Sequence, residues 1–232
     1  MIINQTLGFI FIHIPKTAGT TVTNVLCKYS KWCDLEIGGT PLGEAVQPYY
    51  LKRYGLRKHS TALEIKKVLG EEHWQKFFKF AFVRNPYTRV YSAFNFLKKW
   101  KNLPKNHAEV INKFQSFEEF ILSDVIKEYK GPDNIFLPQV YWVTEYPKEI
   151  KLIIDFVGKV ENLHEDLKQI LAKLGLLEEA KSLFDLPHLN KSVEFDWEIY
   201  NNPAVVDKVY SLYKVDFEMF GYIKDLEKYA ET

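Results

Sequence analysis

The run His13-Ile14-Pro15-Lys16-Thr17-Ala18-Gly19-Thr20-Thr21 gathers one ammonium group and three hydroxyls, those of Thr17, Thr20 and Thr21, into nine residues. Ala18 and Gly19 leave the main chain open to close approach. If a helix starts here, its first N–H groups have no intrahelical partner and lie at the positive end of its dipole. Cation, hydroxyls and orphan amides together are the chemistry of a phosphate or sulfate site. The same residues also make an ordinary strand-to-helix turn, so the loop alone points to an anion and no further. It is not a Walker A loop, in which the lysine follows the second glycine, whereas Lys16 precedes Gly19. No G-x-G-x-x-G follows a strand, which counts against a dinucleotide fold.

A second constellation lies in Phe82-Val83-Arg84-Asn85-Pro86-Tyr87-Thr88-Arg89-Val90-Tyr91-Ser92-Ala93-Phe94. Arg84 stands where a strand ends, and Ser92 follows eight positions later inside the next helix. A phosphomonoester carries close to two negative charges, and the planar fork of an arginine meets two of its oxygens at once. Ser92 adds a neutral donor. Arg89 is read as a structural residue that pairs with a carboxylate to hold the helix. His13 lies within the first strand and is expected to orient the loop. His73, His107 and His164 show no partner pattern. Lys98, Lys99, Lys101 and Lys105 with Trp100 fit an anionic sugar chain or, equally, a solvated helix end whose cations complement the dipole.

The elements that must position these residues are readable from periodicity. Gly8 to Ile14 is a nearly continuous apolar run, expected as a strand buried on both faces and stopped by Pro15. A helix from about Gly19 to Tyr29 follows, with Val22, Val25 and Leu26 on one side. Trp32 to Arg57 has no clear period and reads as loops. A helix is expected from Ser60 as N-cap to before Gly70, and a short one over Glu71 to Phe78. Phe80 to Val83 is a second buried strand. Asn85 caps and Pro86 opens a helix to about Trp100. Further helices are predicted over Ser116–Ile126, Leu163–Leu174 and Pro203–Phe217, with a third core strand at Leu152–Val157. Strands alternating with helices predict a single α/β domain over residues 1–232, with a P-loop-like central parallel sheet flanked by helices on both faces.

Composition bounds the rest. A chain of 232 residues with 47% apolar side chains buries a substantial core. Its 31 basic and 30 acidic residues nearly cancel, so no global field attracts nucleic acid or an acidic membrane, and any anion site is local. The 16% aromatic content reads as a dense core. Cys27 and Cys33 have no zinc-finger spacing and are read as reduced thiols. With no signal-peptide pattern and no run long enough to span a bilayer, a cytoplasmic location is expected.

Taken together, the two motifs resemble those of the sulfotransferases that use 3′-phosphoadenosine-5′-phosphosulfate (PAPS), and in particular the carbohydrate branch of that family. Asp155-Phe156-Val157-Gly158-Lys159-Val160-Glu161-Asn162-Leu163 is similar to a family stretch at a core strand end. Leu186-Pro187-His188-Leu189-Asn190-Lys191-Ser192 is similar to its late donor-covering loop. The resemblance implies a 5′-phosphosulfate on Pro15, Lys16, Thr17, Ala18, Gly19, Thr20 and Thr21, and a 3′-phosphate on Arg84 and Ser92. It also implies a contribution to donor binding from Lys191 and Ser192. Lys16 then steadies charge on the departing phosphate oxygen, and His59, in Lys58-His59-Ser60 ahead of a helix, takes the proton of the acceptor hydroxyl. Relatives with a histidine pair differ here, since Arg57 occupies the earlier position. The expected reaction moves a sulfuryl group to a hydroxyl of an acceptor, in the first place a saccharide, and releases adenosine 3′,5′-bisphosphate, with no metal, nucleic acid or membrane span involved. The rival readings are a non-catalytic nucleotide- or glycan-binding protein of the same fold and a nucleotide-dependent kinase. The missing Walker A pattern and the Arg84/Ser92 motif speak against the kinase.

Overall fold

In the computed structural model, which describes residues 1–178, 195, 197–226 and 229, the apolar run after Gly8 is a strand with every side chain buried. In chain order the elements are β1 (Ile2–Asn4), β2 (Phe9–Ile12), α1 (Gly19–Leu26), β3 (Leu35–Glu36), α2 (Pro41–Tyr54), α3 (Ala62–Leu69), α4 (Glu71–Lys76) and β4 (Phe78–Val83). They continue with α5 (Pro86–Lys99), α6 (Lys105–Ile111), α7 (Phe117–Leu122), α8 (Val125–Glu128), α9 (Val140–Val143), β5 (Thr144–Glu145), β6 (Glu149–Leu152), β7 (Phe156–Lys159), α10 (Leu163–Lys173) and α11 (Pro203–Phe220). Two compact units emerge, Met1–Val83 with Gln139–Ser192, and Arg84–Pro138 with Val193–Thr232.

The first unit is built on a five-stranded sheet in the order β3-β1-β2-β4-β7. β2, β4 and β7 are parallel, with Phe9 opposite Phe78 and Phe80 opposite Phe156. The sheet is nevertheless mixed, because β1 runs antiparallel to both β2 and β3. The reason lies in chain length: only residues 5–8 join β1 to β2, far too few for the crossover a parallel pair needs. Asn4 Oδ1 accepts the Leu7 N–H at 2.7 Å and closes that turn.

Strand alternation sends Phe9, Phe11, Phe80 and Phe82 into one cluster with Val22, Val25 and Leu26 of α1 and Leu167, Ile170 and Leu171 of α10. Ile10, Ile12 and Ala81 on the opposite face are also fully buried, so the sheet is covered on both sides, as a parallel core requires. Lys79, on that second face, is buried against the Trp74 ring and pairs with Asp155 at 3.0 Å.

Three sequence expectations are corrected here. The segment read as loops contains α2, a fourteen-residue helix in which only Gly43 is buried. A helix exposed nearly all round has no apolar stripe to betray it, although its end signals are present: Thr40 caps Gly43 N–H, Pro41 opens the helix, and Gly55 closes it at φ 70°. The expected strand Leu152–Val157 is divided. Leu152 ends β6, which pairs with β5 in a separate two-stranded sheet, and Phe156 begins β7. α3 is capped one residue later than expected, by Thr61, which puts Glu64 in the capping-box position.

The second unit is helical. α11 packs on α5 and α7; Tyr87 meets Phe217 edge to face and Phe94 stacks on Phe120, ring centroids 5.1 Å apart in each pair. The helix expected over Ser116–Ile126 breaks into α7 and α8 at Ser123, whose hydroxyl donates to the Phe120 carbonyl at 2.7 Å. Arg89 is buried and donates to the carbonyls of Ile135 and Leu137, each at 3.0 Å. Fully buried Asp216 lies near enough to favour its charge, against the burial that lowers its pKa. It is thus a structural tie for the Ile135–Leu137 segment. Arg89→Met should cost about 2–5 kcal/mol, because it removes the donor from two carbonyls and a cation whose charge Asp216 favours, and urea unfolding at neutral pH measures it.

Candidate functional site

β2 delivers the chain into a loop whose backbone is turned over twice within three residues: Lys16 has φ 69° and Ala18 φ 56°. Left-handed backbone costs a non-glycine residue about 1–2 kcal/mol, and such strain concentrates where function requires it. Alternating handedness also turns successive N–H groups toward one concavity, a geometry suited to anions. Ala18 supplies no side-chain cap to α1, whose first helical bond runs from Val22 N–H to the Ala18 carbonyl. The N–H groups of Gly19, Thr20 and Thr21 therefore have no intrahelical acceptor.

The hydroxyl inventory is smaller than expected. Thr17 is buried and its hydroxyl donates to the Ile14 carbonyl at 3.0 Å, so it braces the loop from within. Thr20 is exposed and Thr21 half-buried. Gly19 is required by its neighbour: a Cβ there would lie 2.0 Å from Nε2 of His13. The His13 ring, 3% exposed and stacked on Phe11, thus forms the floor under the start of α1.

His59 stands in the turn between α2 and α3. Its Nδ1 is 2.6 Å from the main-chain carbonyl of His13. A carbonyl only accepts, so Nδ1 carries the hydrogen and Nε2 keeps a lone pair. Burial pulls its pKa down to about 3, and the Lys58 and Arg57 charges act in the same direction. The ring is neutral at physiological pH. Trp142 Nε1 donates to the His59 carbonyl at 3.0 Å and holds the main chain of the turn. Arg57, where relatives with a histidine pair would carry the first, gives its N–H to Ser60 Oγ at 3.0 Å.

His13 is also held well below the ordinary histidine pKa, first by burial and then by His59. Both groups have folded-state values below their unfolded value near 6.5, so the unfolded chain binds more protons in acid. Their contribution is complete above about pH 6.5 and is lost as pH falls below it, toward about 3 for His59, with a slope of up to about 1.4 kcal/mol per pH unit for each ring. Urea midpoints at pH 7.5 and 5.0 should show the loss, and His13→Phe should remove its share of it.

In the second unit, Arg84 precedes α5 and Ser92 lies within it, both half-buried. Asn85 caps the Tyr87 N–H as expected. Arg84 Nε donates to Thr88 Oγ1 at 2.9 Å, and that hydroxyl donates on to the Asn85 carbonyl. Thr88 is therefore the orienting partner of the guanidinium, a role not assigned from sequence. Its signal was its position, four residues after Arg84 and four before Ser92, which puts Thr88 and Ser92 on one helical face. Lys191, Ser192 and His188 lie outside the described residues. His107 contacts the Tyr129 hydroxyl at 3.0 Å and His164 the Glu165 carboxylate at 2.9 Å. In the basic cluster, Lys98 is engaged with the Phe114 carbonyl and Lys105 faces Glu109.

The family described as "Sulfotransferase family" matches residues 1–223. The chain belongs to the sulfotransferase family. Within it, the chain is similar to carbohydrate sulfotransferase 12 of Mus musculus, 30% identical over 97% of this chain and 60% of that protein. The Xenopus laevis protein of the same name is 28% identical over the same shares. Carbohydrate sulfotransferase 11 of Rattus norvegicus is 25% identical over 96% of this chain and 66% of its own length. The chain thus spans about 60% of the length of the first two. No solved structure matches it significantly. The mixed α/β architecture agrees with the family. Among the described residues no helix is long and apolar enough to cross a membrane.

Proposed function

We propose that this chain transfers a sulfuryl group from PAPS to a hydroxyl of a carbohydrate acceptor. The observation that carries the reading is the twice-inverted Pro15–Thr21 loop ahead of uncapped α1, in a chain that belongs to the sulfotransferase family. The names of its relatives favour a saccharide acceptor. The loop amides and Lys16 hold the 5′-phosphosulfate, with Pro15, Thr17, Ala18 and Gly19 shaping the turn and Thr20 and Thr21 adding donors. Arg84, set by Thr88, and Ser92 hold the 3′-phosphate, and Lys191 and Ser192 are assigned to the donor as well.

In the reaction an acceptor oxygen attacks sulfur in line, and the bond from sulfur to the bridging phosphate oxygen breaks. The hydroxyl proton passes to Nε2 of His59, while Lys16 steadies the charge left on the phosphate oxygen. Adenosine 3′,5′-bisphosphate departs. The two units act as one sulfotransferase domain, a reading supported by a family match that runs through both.

Calorimetry decides the donor assignment. Adenosine 3′,5′-bisphosphate should bind at least tenfold more tightly than adenosine 5′-phosphate, and Arg84→Ala should erase most of that preference. Equal binding of the two nucleotides defeats the reading. Transfer of labelled sulfate to a panel of saccharides then tests the acceptor, with donor binding but no transfer to any hydroxyl marking a non-catalytic protein.

A further inference from the structure

Both ends of the proposed chemistry in the first unit touch the same residue. We infer that His13 is a positioning residue that couples the donor loop to His59, its ring bearing on Gly19 while its main-chain carbonyl holds the Nδ1–H tautomer of the base. The inference rests on the reading of His59 as base and of Pro15–Thr21 as donor loop.

The ring is confined from several sides. It stacks on Phe11 with centroids 5.7 Å apart, meets the His59 ring edge to face at 4.7 Å, and leaves no room for a Cβ at Gly19. Its Nδ1 is buried without a hydrogen-bond partner, so the ring acts through its flat shape and not through a polar contact of that nitrogen. A planar slab between Phe11 and Gly19 fixes the peptide that carries the carbonyl. Among the described residues that carbonyl is the acceptor for His59 Nδ1, at 2.6 Å. Neutral imidazole in water favours neither nitrogen strongly, and the tautomer follows the hydrogen bond that one of them makes. A shift of the loop at Gly19 must therefore move the ring, then the carbonyl, then the balance of hydrogen between Nδ1 and Nε2 of a residue 46 positions away.

Three variants test this on the full chain: His13→Ala removes the slab, His13→Phe keeps its shape, and Gly19→Ala drives a methyl against it. Nitrogen-15 spectra of the histidine rings should show His59 as the Nδ1–H tautomer in the unaltered chain and in His13→Phe, and as a mixture in His13→Ala and Gly19→Ala. With labelled donor, kcat should fall at least tenfold in His13→Ala, with affinity for adenosine 3′,5′-bisphosphate changed less than threefold, and should return to within threefold of the parent in His13→Phe. An unchanged tautomer in Gly19→Ala overturns the coupling, as does a His13→Phe protein no better than His13→Ala. If His13→Ala does not fold, Gly19→Ala and His13→Phe decide between the same outcomes. An active His59→Ala enzyme would instead remove the base assignment itself, whatever the spectra show.

Discussion

Lys16→Ala should lower kcat by about two to three orders of magnitude, the effect of removing one donor aimed at developing charge. The apparent KM for the acceptor should move less than about threefold, since in the proposed reaction the ammonium acts on the leaving oxygen and not on the acceptor. The loop geometry supplies a control. Lys16 occupies left-handed backbone, φ 69°, which glycine adopts without penalty. Lys16→Gly should therefore fold at least as stably as the parent, by up to about 1 kcal/mol, while turning over as slowly as the alanine variant. Slow turnover in a more stable protein assigns the loss to the missing charge. A Lys16→Gly enzyme that keeps its rate would take the residue out of the reaction and leave the loop as a turn. Rate and urea unfolding on the same preparations measure both quantities.

His59→Ala should reduce turnover by about 10²–10⁴-fold, the usual contribution of a positioned base, with affinity for adenosine 3′,5′-bisphosphate nearly unchanged. The pH dependence carries a second expectation, with a definite sign. A group held near pKa 3 remains deprotonated down through pH 5, so the free enzyme's kcat/KM should show no acidic limb near 6.5, where an ordinary exposed histidine would place one. A limb at that position would mean that the ring is solvated and the tautomer argument fails. Such a low value also makes the ring a weak base on its own. The negative charge of a phosphosulfate brought to the neighbouring loop favours the protonated imidazole and raises its pKa. Addition of adenosine 3′,5′-bisphosphate should accordingly shift the His59 titration upward, a change visible in the same nitrogen-15 spectra. In the proposed reaction, donor binding would thereby prepare His59 for the proton it receives.

The legible parts of this protein were those encoded locally. Phe9–Ile12 and Phe80–Val83 announced themselves as buried strands because no polar residue interrupts their hydrophobic side chains, whereas β4 in fact begins at Phe78, the end of the expected short helix Glu71–Phe78, and takes in Lys79. Lys79 is the exception that tertiary structure accommodates, through Asp155 and Trp74. Pro86 and Asn85 marked the start of α5 in the positions their chemistry favours. α2 was illegible for the opposite reason, since an exposed helix needs no apolar period and its interior Pro48 reads as a breaker. The antiparallel β1 was missed because a three-residue strand carries too little pattern to call attention to itself.

The sequence by itself supplied the inventory for anion chemistry: a lysine and three threonine hydroxyls at a strand-to-helix junction, and an arginine and serine at the spacing that matched a known family. Those features are contiguous, and neighbouring residues need no fold to be neighbours. Only the tertiary structure decided that Thr17 spends its hydroxyl on Ile14, that Gly19 rests on the His13 ring, and that His59 is neutral with its lone pair on Nε2. The last of these depends on residues brought together from distant parts of the chain and on exclusion of water by the surrounding core. A tautomer and a desolvated pKa are properties of surroundings, which no spacing along the chain contains.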